Sequence, residues 1–289
     1  MQPYAQSSLN TQTPFDIEPL SNLMGAAITG LDLSQPLNQA TCDTIYCAFL
    51  QYQLLAFRDQ NLTMDQQVIF SEQFGELERH TLSNRNAAGH PSVHIVSNLD
   101  ENGAPSGVVK STDWHSDKSF RPAPSSATIL HAITLPPHGG DTCFANMYVA
   151  HDALDATEKL ELADMKVIHS WELSRENRKR TLSKAEIDDA PPMNHPLARI
   201  HPDTGRRALF MGTHASHLEG LPIEEGRARI ETLEDHATQD RFVYRHHWRA
   251  GEVLMWDNRC LLHRADTNFD AAQHPRLFHR TCLRGTPTA

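Results

Sequence analysis

A histidine and an aspartate two positions apart, His115 and Asp117, are the residues of this chain whose types and spacing best suit chemistry. If the segment is extended, side chains i and i+2 leave the same face of a strand, so an imidazole nitrogen and a carboxylate oxygen can reach one metal ion. Two protein ligands hold a catalytic metal poorly, and His263 is the best candidate for a third. Two histidines and one carboxylate are the facial ligand set of non-haem Fe(II) sites.

The HxD pattern alone is a weak signal, because 18 of the 289 residues are histidine and an exposed histidine beside a turn aspartate is the simpler interpretation. Two arginines that follow His263 strengthen the metal interpretation. Arg276 and Arg280 are four positions apart, so on one strand they share a face. A guanidinium aimed into a metal pocket suits the far carboxylate of a dicarboxylate co-substrate, which it can bind through two parallel hydrogen bonds.

Around these residues, the sequence resembles the taurine dioxygenase / 2,4-D dioxygenase family of Fe(II)- and 2-oxoglutarate-dependent oxygenases. The resemblance extends from about Phe15 to Gly285, which is nearly the whole chain. Its blocks are residues 25–33, 114–120, 139–142, 255–259 and 276–280. Residues 214–222 and 235–239 are most similar to the chlorophenoxyacetate branch of the family.

The resemblance implies a ligand set and a co-substrate site. His115, Asp117 and His263 would bind Fe(II), with 2-oxoglutarate as co-substrate and O2 as oxidant. Arg276 would pair with the far carboxylate of 2-oxoglutarate, and Thr142 would donate a hydrogen bond to it. For Thr142 the simpler interpretation is a strand threonine, since threonine favours strands in any case.

Five residues are expected to contact the substrate or to lie close to it: Arg280, His80, Asn98, Trp114 and Phe120. Arg280 would bind the anionic group of the substrate and border the co-substrate site, unless it only pairs with an acidic neighbour. Trp114 and Phe120 would line a dry pocket, although an aromatic beside a buried strand is often plain core. His80 matches a substrate-contacting histidine of taurine dioxygenase, whereas the later half of the chain resembles the chlorophenoxyacetate branch. The substrate therefore stays open.

Four functions remain in competition. The first is hydroxylation of a small anionic organic substrate, preferably an aryloxyalkanoate such as 2,4-dichlorophenoxyacetate, giving a phenol and glyoxylate. The second keeps the reaction and takes a sulfonate, an alkyl sulfate or another carboxylate. The third is a zinc-dependent hydrolase with the same three ligands, which gives Arg276 and Thr142 no role. The fourth is a metal-free ligand-binding jelly roll.

Composition excludes other classes. Asp and Glu number 36 against 26 Lys and Arg, and a net charge of −10 argues against a nucleic-acid surface. No apolar run approaches eighteen residues, so we expect no membrane span. The five cysteines form no CxxC pair, and no basic and apolar leader is visible, which favours a reduced, cytoplasmic protein. We expect a homo-oligomer.

The elements that must position these residues are mostly strands, which fits a closed β architecture, and the resemblance implies a double-stranded β-helix, or jelly roll, with flanking helices. We expect a flexible tail over 1–14 and one domain over 15–289. Helices are predicted over 37–53 and 221–238, and after a capping box at Thr63. The charged stretch 173–194 is predicted to be a solvated loop, or else a lid over substrate. His214 and His217 are predicted to lie in a loop and not to bind metal.

Overall fold

The computed structural model describes residues 14–79, 86–174 and 181–288. The predicted tail over 1–14 therefore lies almost wholly outside the described residues, and so does His80. Within the described ranges, every helix is too short or too polar to traverse a bilayer.

Sixteen strands are present in the described residues. They are β1 (Asp16–Pro19), β2 (Ala26–Thr29), β3 (Leu54–Phe57), β4 (Asn86–Ala87), β5 (His90–Ser97), β6 (Ala127–Thr134), β7 (Thr142–Asn146), β8 (Lys166–His169), β9 (Met193–Pro196), β10 (Ala198–Ile200), β11 (Arg207–Leu209), β12 (Ala215–Leu218), β13 (Val243–His246), β14 (Val253–Asp257), β15 (Leu261–Ala265) and β16 (Leu277–Leu283).

Helices cover the outside of the strands. They are α1 (Gln39–Tyr52), α2 (Met64–Glu72), α3 (Met147–Asp152), α4 (Ala156–Leu162), α5 (Lys184–Asp189) and α6 (Ile223–Ala237), followed by a 3-10 turn at Asp240–Phe242. The predicted capping box of α2 is confirmed: the Thr63 side chain accepts from the Gln66 amide, and the Gln66 side chain accepts from the Thr63 amide. Because both donors at the helix start are satisfied, α2 begins at a defined residue.

The strands form one large sheet and three small ones. The large sheet has eight strands in the order β1-β2-β3-β14-β6-β16-β5-β4, and only the β2–β3 pair among them is parallel. The three-stranded sheet β13-β7-β15 faces it, and β12-β8-β9 and the hairpin β10-β11 complete the described strands. This two-sheet arrangement is the jelly roll that the family resemblance implied.

Strand alternation divides the interior into two cores. On β14, Leu254 and Trp256 point into a core between the sheets, where they meet Phe144 of β7. Val253 and Met255 point the other way, into a core that α1 and α2 cover. Because successive strand residues face opposite sides, a fully apolar run such as β14 is buried on both faces. Polar side chains that point between the sheets therefore lie in a dry interior.

The structure differs from the sequence predictions at His217 and within residues 173–194. The prediction that His217 lies in a loop is wrong, because His217 lies in β12, an edge strand that pairs with β8. This pairing depends on tertiary structure, and a short polar sequence gives no local signal for it. Within 173–194, residues 175–180 lie outside the described residues, and the remainder contains α5 and part of β9. Arg121, just after the HxD motif, forms an ion pair with Asp189 at the end of α5. The lid function stays a prediction.

Candidate active site

The HxD segment joins the fold through a single antiparallel bridge to β15. His115 and His263 exchange both backbone hydrogen bonds, with N to O distances of 3.0 and 2.8 Å. This pairing brings the two imidazole rings to a centroid distance of 4.1 Å. The chain turns directly after Asp117, because Lys118 has a left-handed φ of +53°. The extended segment therefore ends at Asp117, whose carboxylate is a predicted metal ligand.

The predicted metal ligands converge. One side-chain donor atom from each of His115, Asp117 and His263 lies within 4.8 Å of the other two, and all three residues are buried. Within the described ranges they are the only such group of histidine, cysteine and acidic side chains. The Nδ1 of His115 lies 2.9 Å from the Asp113 carbonyl, which can only accept, so Nδ1 carries the hydrogen and Nε2 keeps its lone pair. That tautomer is the one a metal needs at Nε2.

The Asp117 carboxylate is held from both oxygens. The Thr128 hydroxyl donates to Oδ2 at 2.5 Å, and the Arg280 guanidinium donates to Oδ1 at 3.0 Å. Asn258 in turn donates from Nδ2 to the Thr128 hydroxyl at 2.8 Å, which directs the Thr128 hydrogen toward the carboxylate. The Asn258 carbonyl also accepts from Ser116 at 2.7 Å. Thr128 and Asn258 thus fix the orientation of the Asp117 carboxylate, which is a predicted metal ligand.

Electrostatics at the site favour the protonation states that metal ligands require. Burial alone would raise the pKa of the Asp117 carboxyl, but the Arg280 guanidinium holds it well below its usual range. Burial lowers the pKa of His263 well below its usual value, and the neighbouring His115 adds to the effect. An anionic carboxylate and a neutral imidazole are the metal-binding forms of these groups.

A second polar site surrounds Arg276, which immediately precedes β16 and is 5% exposed. Its Nε donates to the Gly140 carbonyl at 2.9 Å and its Nη2 to the Thr142 hydroxyl at 3.3 Å. Burial lowers the pKa of Arg276 to about 10, and the nearby Asp141 opposes that shift. Among the described residues, no carboxylate forms an ion pair with Arg276. A buried cation without an anion is costly, so the site is suited to an anionic ligand.

Two glycines allow this arrangement. Gly139 and Gly140 have φ values of +69° and +70°, which other residues rarely adopt. A Cβ atom on Gly139 would lie 2.1 Å from the Asn268 carbonyl oxygen, and one on Gly140 would lie 3.3 Å from the Arg276 Cδ. The Gly139-Gly140 pair that the sequence singled out therefore brings backbone close to the guanidinium.

The strand register joins the two sites. His263 pairs with Phe144, and Thr142 lies two residues before Phe144 on β7. Thr142 and Phe144 therefore share one face of the strand, and the Phe144 ring lies 6.1 Å from the His263 ring. The Thr142 hydroxyl and the His263 imidazole consequently face the same space between the sheets.

The predicted substrate residues differ in their surroundings. Asn98 uses its side chain to fix the loop before β16: its Oδ1 accepts from the Arg276 amide at 2.7 Å, and its Nδ2 donates to the Ala271 and His274 carbonyls at 2.9 Å each. Its predicted contact with substrate stays a prediction, because the amide hydrogens are already donated. Trp114 lies under the guanidinium of Arg264, with 5.0 Å from Cζ to the ring centroid.

Phe120 belongs to a group of three rings that the sequence did not reveal. Its ring centroid lies 4.9 Å from those of both Trp171 and His214, which are themselves 5.6 Å apart. We call Phe120, Trp171 and His214 the aromatic wall. Phe120 follows Asp117 by three residues, and Thr213, beside His214, donates its backbone amide to the Trp114 carbonyl at 2.8 Å. The wall therefore borders the HxD segment.

Comparisons with known proteins match nearly the whole chain. Residues 16–282 match the model of the taurine catabolism dioxygenase TauD, TfdA family. The chain is 37% identical to an alpha-ketoglutarate-dependent 2,4-dichlorophenoxyacetate dioxygenase of Cupriavidus pinatubonensis, covering 92% of this chain and 96% of the relative. It is 34% identical to an (S)-phenoxypropionate/alpha-ketoglutarate-dioxygenase of Sphingobium herbicidovorans, covering 95% of this chain and 96% of the relative. The crystal structure of AAD-2 with Mn(II) and N-oxalylglycine is similar, with a TM-score of 0.84, 34% identity and coverage of 95% of this chain and 98% of AAD-2.

This chain belongs to the TauD, TfdA family, because the family model covers nearly all of it. It is an Fe(II)- and 2-oxoglutarate-dependent dioxygenase that uses O2. The dioxygenase prediction is confirmed, and it displaces the zinc hydrolase and the metal-free binding protein as interpretations.

Proposed function

We propose that His115, Asp117 and His263 bind the Fe(II), with Nε2 of His115 and a carboxylate oxygen of Asp117 among the ligand atoms. The donor types fit a facial two-histidine, one-carboxylate site. The tautomer of His115 and the anionic state of Asp117 support the same assignment. Arg280 and Thr128 would hold the carboxylate in place while the iron is bound.

The observation that carries the proposal is the buried guanidinium of Arg276, which has no carboxylate in ion-pair contact among the described residues. We infer that the far carboxylate of 2-oxoglutarate supplies the missing anion. Arg276 would form charge-assisted hydrogen bonds to it, and Thr142 would donate a further one. Thr142 lies on β7, which pairs with the strand of His263, and Arg276 donates to the Thr142 hydroxyl, so a ligand bound there reaches toward the proposed metal ligands.

When bound, Fe(II), 2-oxoglutarate and O2 together supply the oxidising chemistry that converts a substrate C–H bond to C–OH and 2-oxoglutarate to succinate and CO2. The protein orients the reactants and excludes water from the site. Burial of His115, Asp117 and His263 keeps water from the reacting centre. Arg276 and Thr142 fix the direction from which the co-substrate approaches.

We propose an aryloxyalkanoate as the substrate class. The aromatic wall beside the HxD segment suits an aryl ring, because offset and edge-on ring contacts favour aromatic ligands. Arg280, which is 19% exposed, suits the carboxylate of that substrate. Two relatives act on aryloxyalkanoates by name, 2,4-dichlorophenoxyacetate and (S)-phenoxypropionate, which supports the same class. Hydroxylation next to the ether oxygen gives a hemiacetal, which for an aryloxyacetate collapses to a phenol and glyoxylate.

A substrate panel tests this proposal. Phenoxyacetates, phenoxypropionates, taurine and medium-chain alkyl sulfates are supplied with Fe(II), 2-oxoglutarate and O2, and succinate release is measured. We expect the aryloxyalkanoates to give kcat/KM values at least about tenfold above the others, since each ring contact adds about 0.5–1.5 kcal/mol and the aromatic wall offers more than one. A sulfonate or alkyl sulfate as the best substrate would contradict the substrate class and leave the reaction class intact.

Thr128→Val tests how the carboxylate is held. Valine keeps the shape of threonine and removes the hydroxyl that donates to Asp117. We expect the Kd for Mn(II), measured by calorimetry without co-substrate, to rise about tenfold, as is usual when a partner of a metal ligand is lost. Thr281→Val is the matched control, because Thr281 is equally buried on the neighbouring β16 and bonds Ser71 instead. Equal Mn(II) affinity in wild type and Thr128→Val would refute the positioning role.

Assembly and location stay predictions. We propose a homo-oligomer in the cytoplasm that acts on a free small molecule. The acidic composition supports a small-molecule partner over a nucleic acid. Light scattering after size-exclusion chromatography measures the oligomeric state directly.

A further inference from the structure

The Thr142 hydroxyl accepts hydrogen bonds from two different side chains. Its Oγ1 accepts from the indole Nε1 of Trp248 at 3.0 Å and from Nη2 of Arg276 at 3.3 Å. A hydroxyl has two lone pairs and one hydrogen, so these two donors occupy its whole capacity to accept. Within the described part of the chain, no group accepts the Thr142 hydrogen. The hydrogen is therefore directed away from both donors.

We propose that Trp248 is a positioning residue that fixes Thr142 as a donor to the far carboxylate of 2-oxoglutarate. The inference rests on the proposed co-substrate site. Trp248 and Arg276 are both obligate donors, so neither can accept the Thr142 hydrogen. With the indole N–H in place, an oxygen acceptor on the remaining side receives a hydrogen already aimed at it. Without the indole N–H, the hydroxyl can turn a lone pair toward the carboxylate.

Trp248 is itself held in place. Its ring packs perpendicular to His246 at 5.1 Å and tilted against Phe278 at 4.7 Å. His246 is buried and bonded through Nε2 to Glu252 at 2.7 Å. The Arg276 guanidinium lies 4.2 Å from the Phe278 centroid. One packed unit therefore carries both donors to Thr142, and their spacing is set before any ligand arrives.

Trp248→Phe removes the indole N–H and keeps an aromatic ring between His246 and Phe278. We expect the Kd for N-oxalylglycine and the KM for 2-oxoglutarate to rise about fivefold, the usual effect of one neutral hydrogen bond. The kcat at saturating 2-oxoglutarate and the KM for the organic substrate should change by less than about twofold, because the N–H contacts neither the metal ligands nor the aromatic wall. Tyr244→Phe is the control, since it removes a nearby hydroxyl that bonds His246 at 3.2 Å and does not contact Thr142.

A double-mutant cycle distinguishes positioning from packing. If Trp248 acts through the hydroxyl, Trp248→Phe has no further effect on N-oxalylglycine binding once Thr142→Val is present. Additive losses in the double variant would overturn the inference. Should Trp248→Phe fold poorly, incorporation of 3-benzothienylalanine at position 248 keeps the bicyclic shape and replaces N–H by sulfur, with the same expected loss.

The outcomes separate this inference from the proposal beneath it. Wild-type protein loaded with Mn(II) that fails to bind N-oxalylglycine would refute the co-substrate site, and the role of Trp248 with it. Wild-type binding with unchanged affinity in the position-248 variants would refute only the role of Trp248.

Discussion

Alanine at position 263 is expected to abolish turnover. In the proposed site His263 supplies one of three protein ligands, and the two that would remain, His115 and Asp117, are expected to hold a divalent metal weakly. We expect the Kd for Mn(II) to rise by more than about 100-fold, beyond the usual effect of losing a partner of a ligand. Calorimetric Mn(II) titration and succinate release at saturating Fe(II) measure the two effects.

The matched control is His217→Ala, which removes a histidine from β12 that is outside the converging group. Turnover within about twofold of wild type is expected there, as for most substitutions away from a site. Iron-dependent turnover retained by His263→Ala would remove His263 from the ligand set.

Arg276→Ala is expected to raise the KM for 2-oxoglutarate by about 30-fold to 1,000-fold, because a charge-assisted pair lost from a dry site costs about 2–4 kcal/mol. Arg276→Lys should fall between wild type and alanine, since an ammonium keeps the charge and loses the fork geometry. Initial rates at varied 2-oxoglutarate, with the organic substrate saturating, give the value.

Arg284→Ala is the control for this change, because Arg284 follows the same strand, is exposed and pairs with Glu76. Its KM for 2-oxoglutarate should equal that of wild type. An unaltered KM in Arg276→Ala would place the anchor of the co-substrate elsewhere.

Residue types and spacing in the sequence indicate part of the proposed ligand set. His115 and Asp117 are local in the chain, so their spacing alone suggests a common metal. His263 and Arg276 are remote from them; their residue types made them candidates for a third ligand and an anion-binding group, and the resemblance to a family made those roles specific. The bridge between His115 and His263 supplies the physical reason for their meeting.

The supporting residues were harder to find. Thr128 lies between Ala127 and Ile129 in β6, and threonine is common in strands, so the sequence gives its hydroxyl no distinctive signal. Its inward direction follows from the alternation of β6, which puts it on the same face as Leu130. Asn258 lay inside a recognised block, and its tie to Thr128 needed the fold. Trp248 carried no local signal, because its partner Thr142 lies 106 positions away in the sequence.

The aromatic wall and α5 show two further limits. Trp171 follows β8 and His214 precedes β12, so the two rings meet because these strands pair. The sequence of a polar edge strand does not indicate its partner strand. The helix α5 did carry a signal, the capping box of Ser183 and Glu186. Charge content concealed it, since runs of like and mixed charges more often belong to solvated loops.

A crystal structure of the protein with Mn(II) and N-oxalylglycine, grown without oxygen, examines the proposed metal site and co-substrate site together. We expect one metal bonded to His115, Asp117 and His263 at about 2.0–2.3 Å. We also expect the far carboxylate of N-oxalylglycine to contact Arg276 and the Thr142 hydroxyl. A metal bound without His263, or an inhibitor carboxylate held away from Arg276, would contradict the proposal.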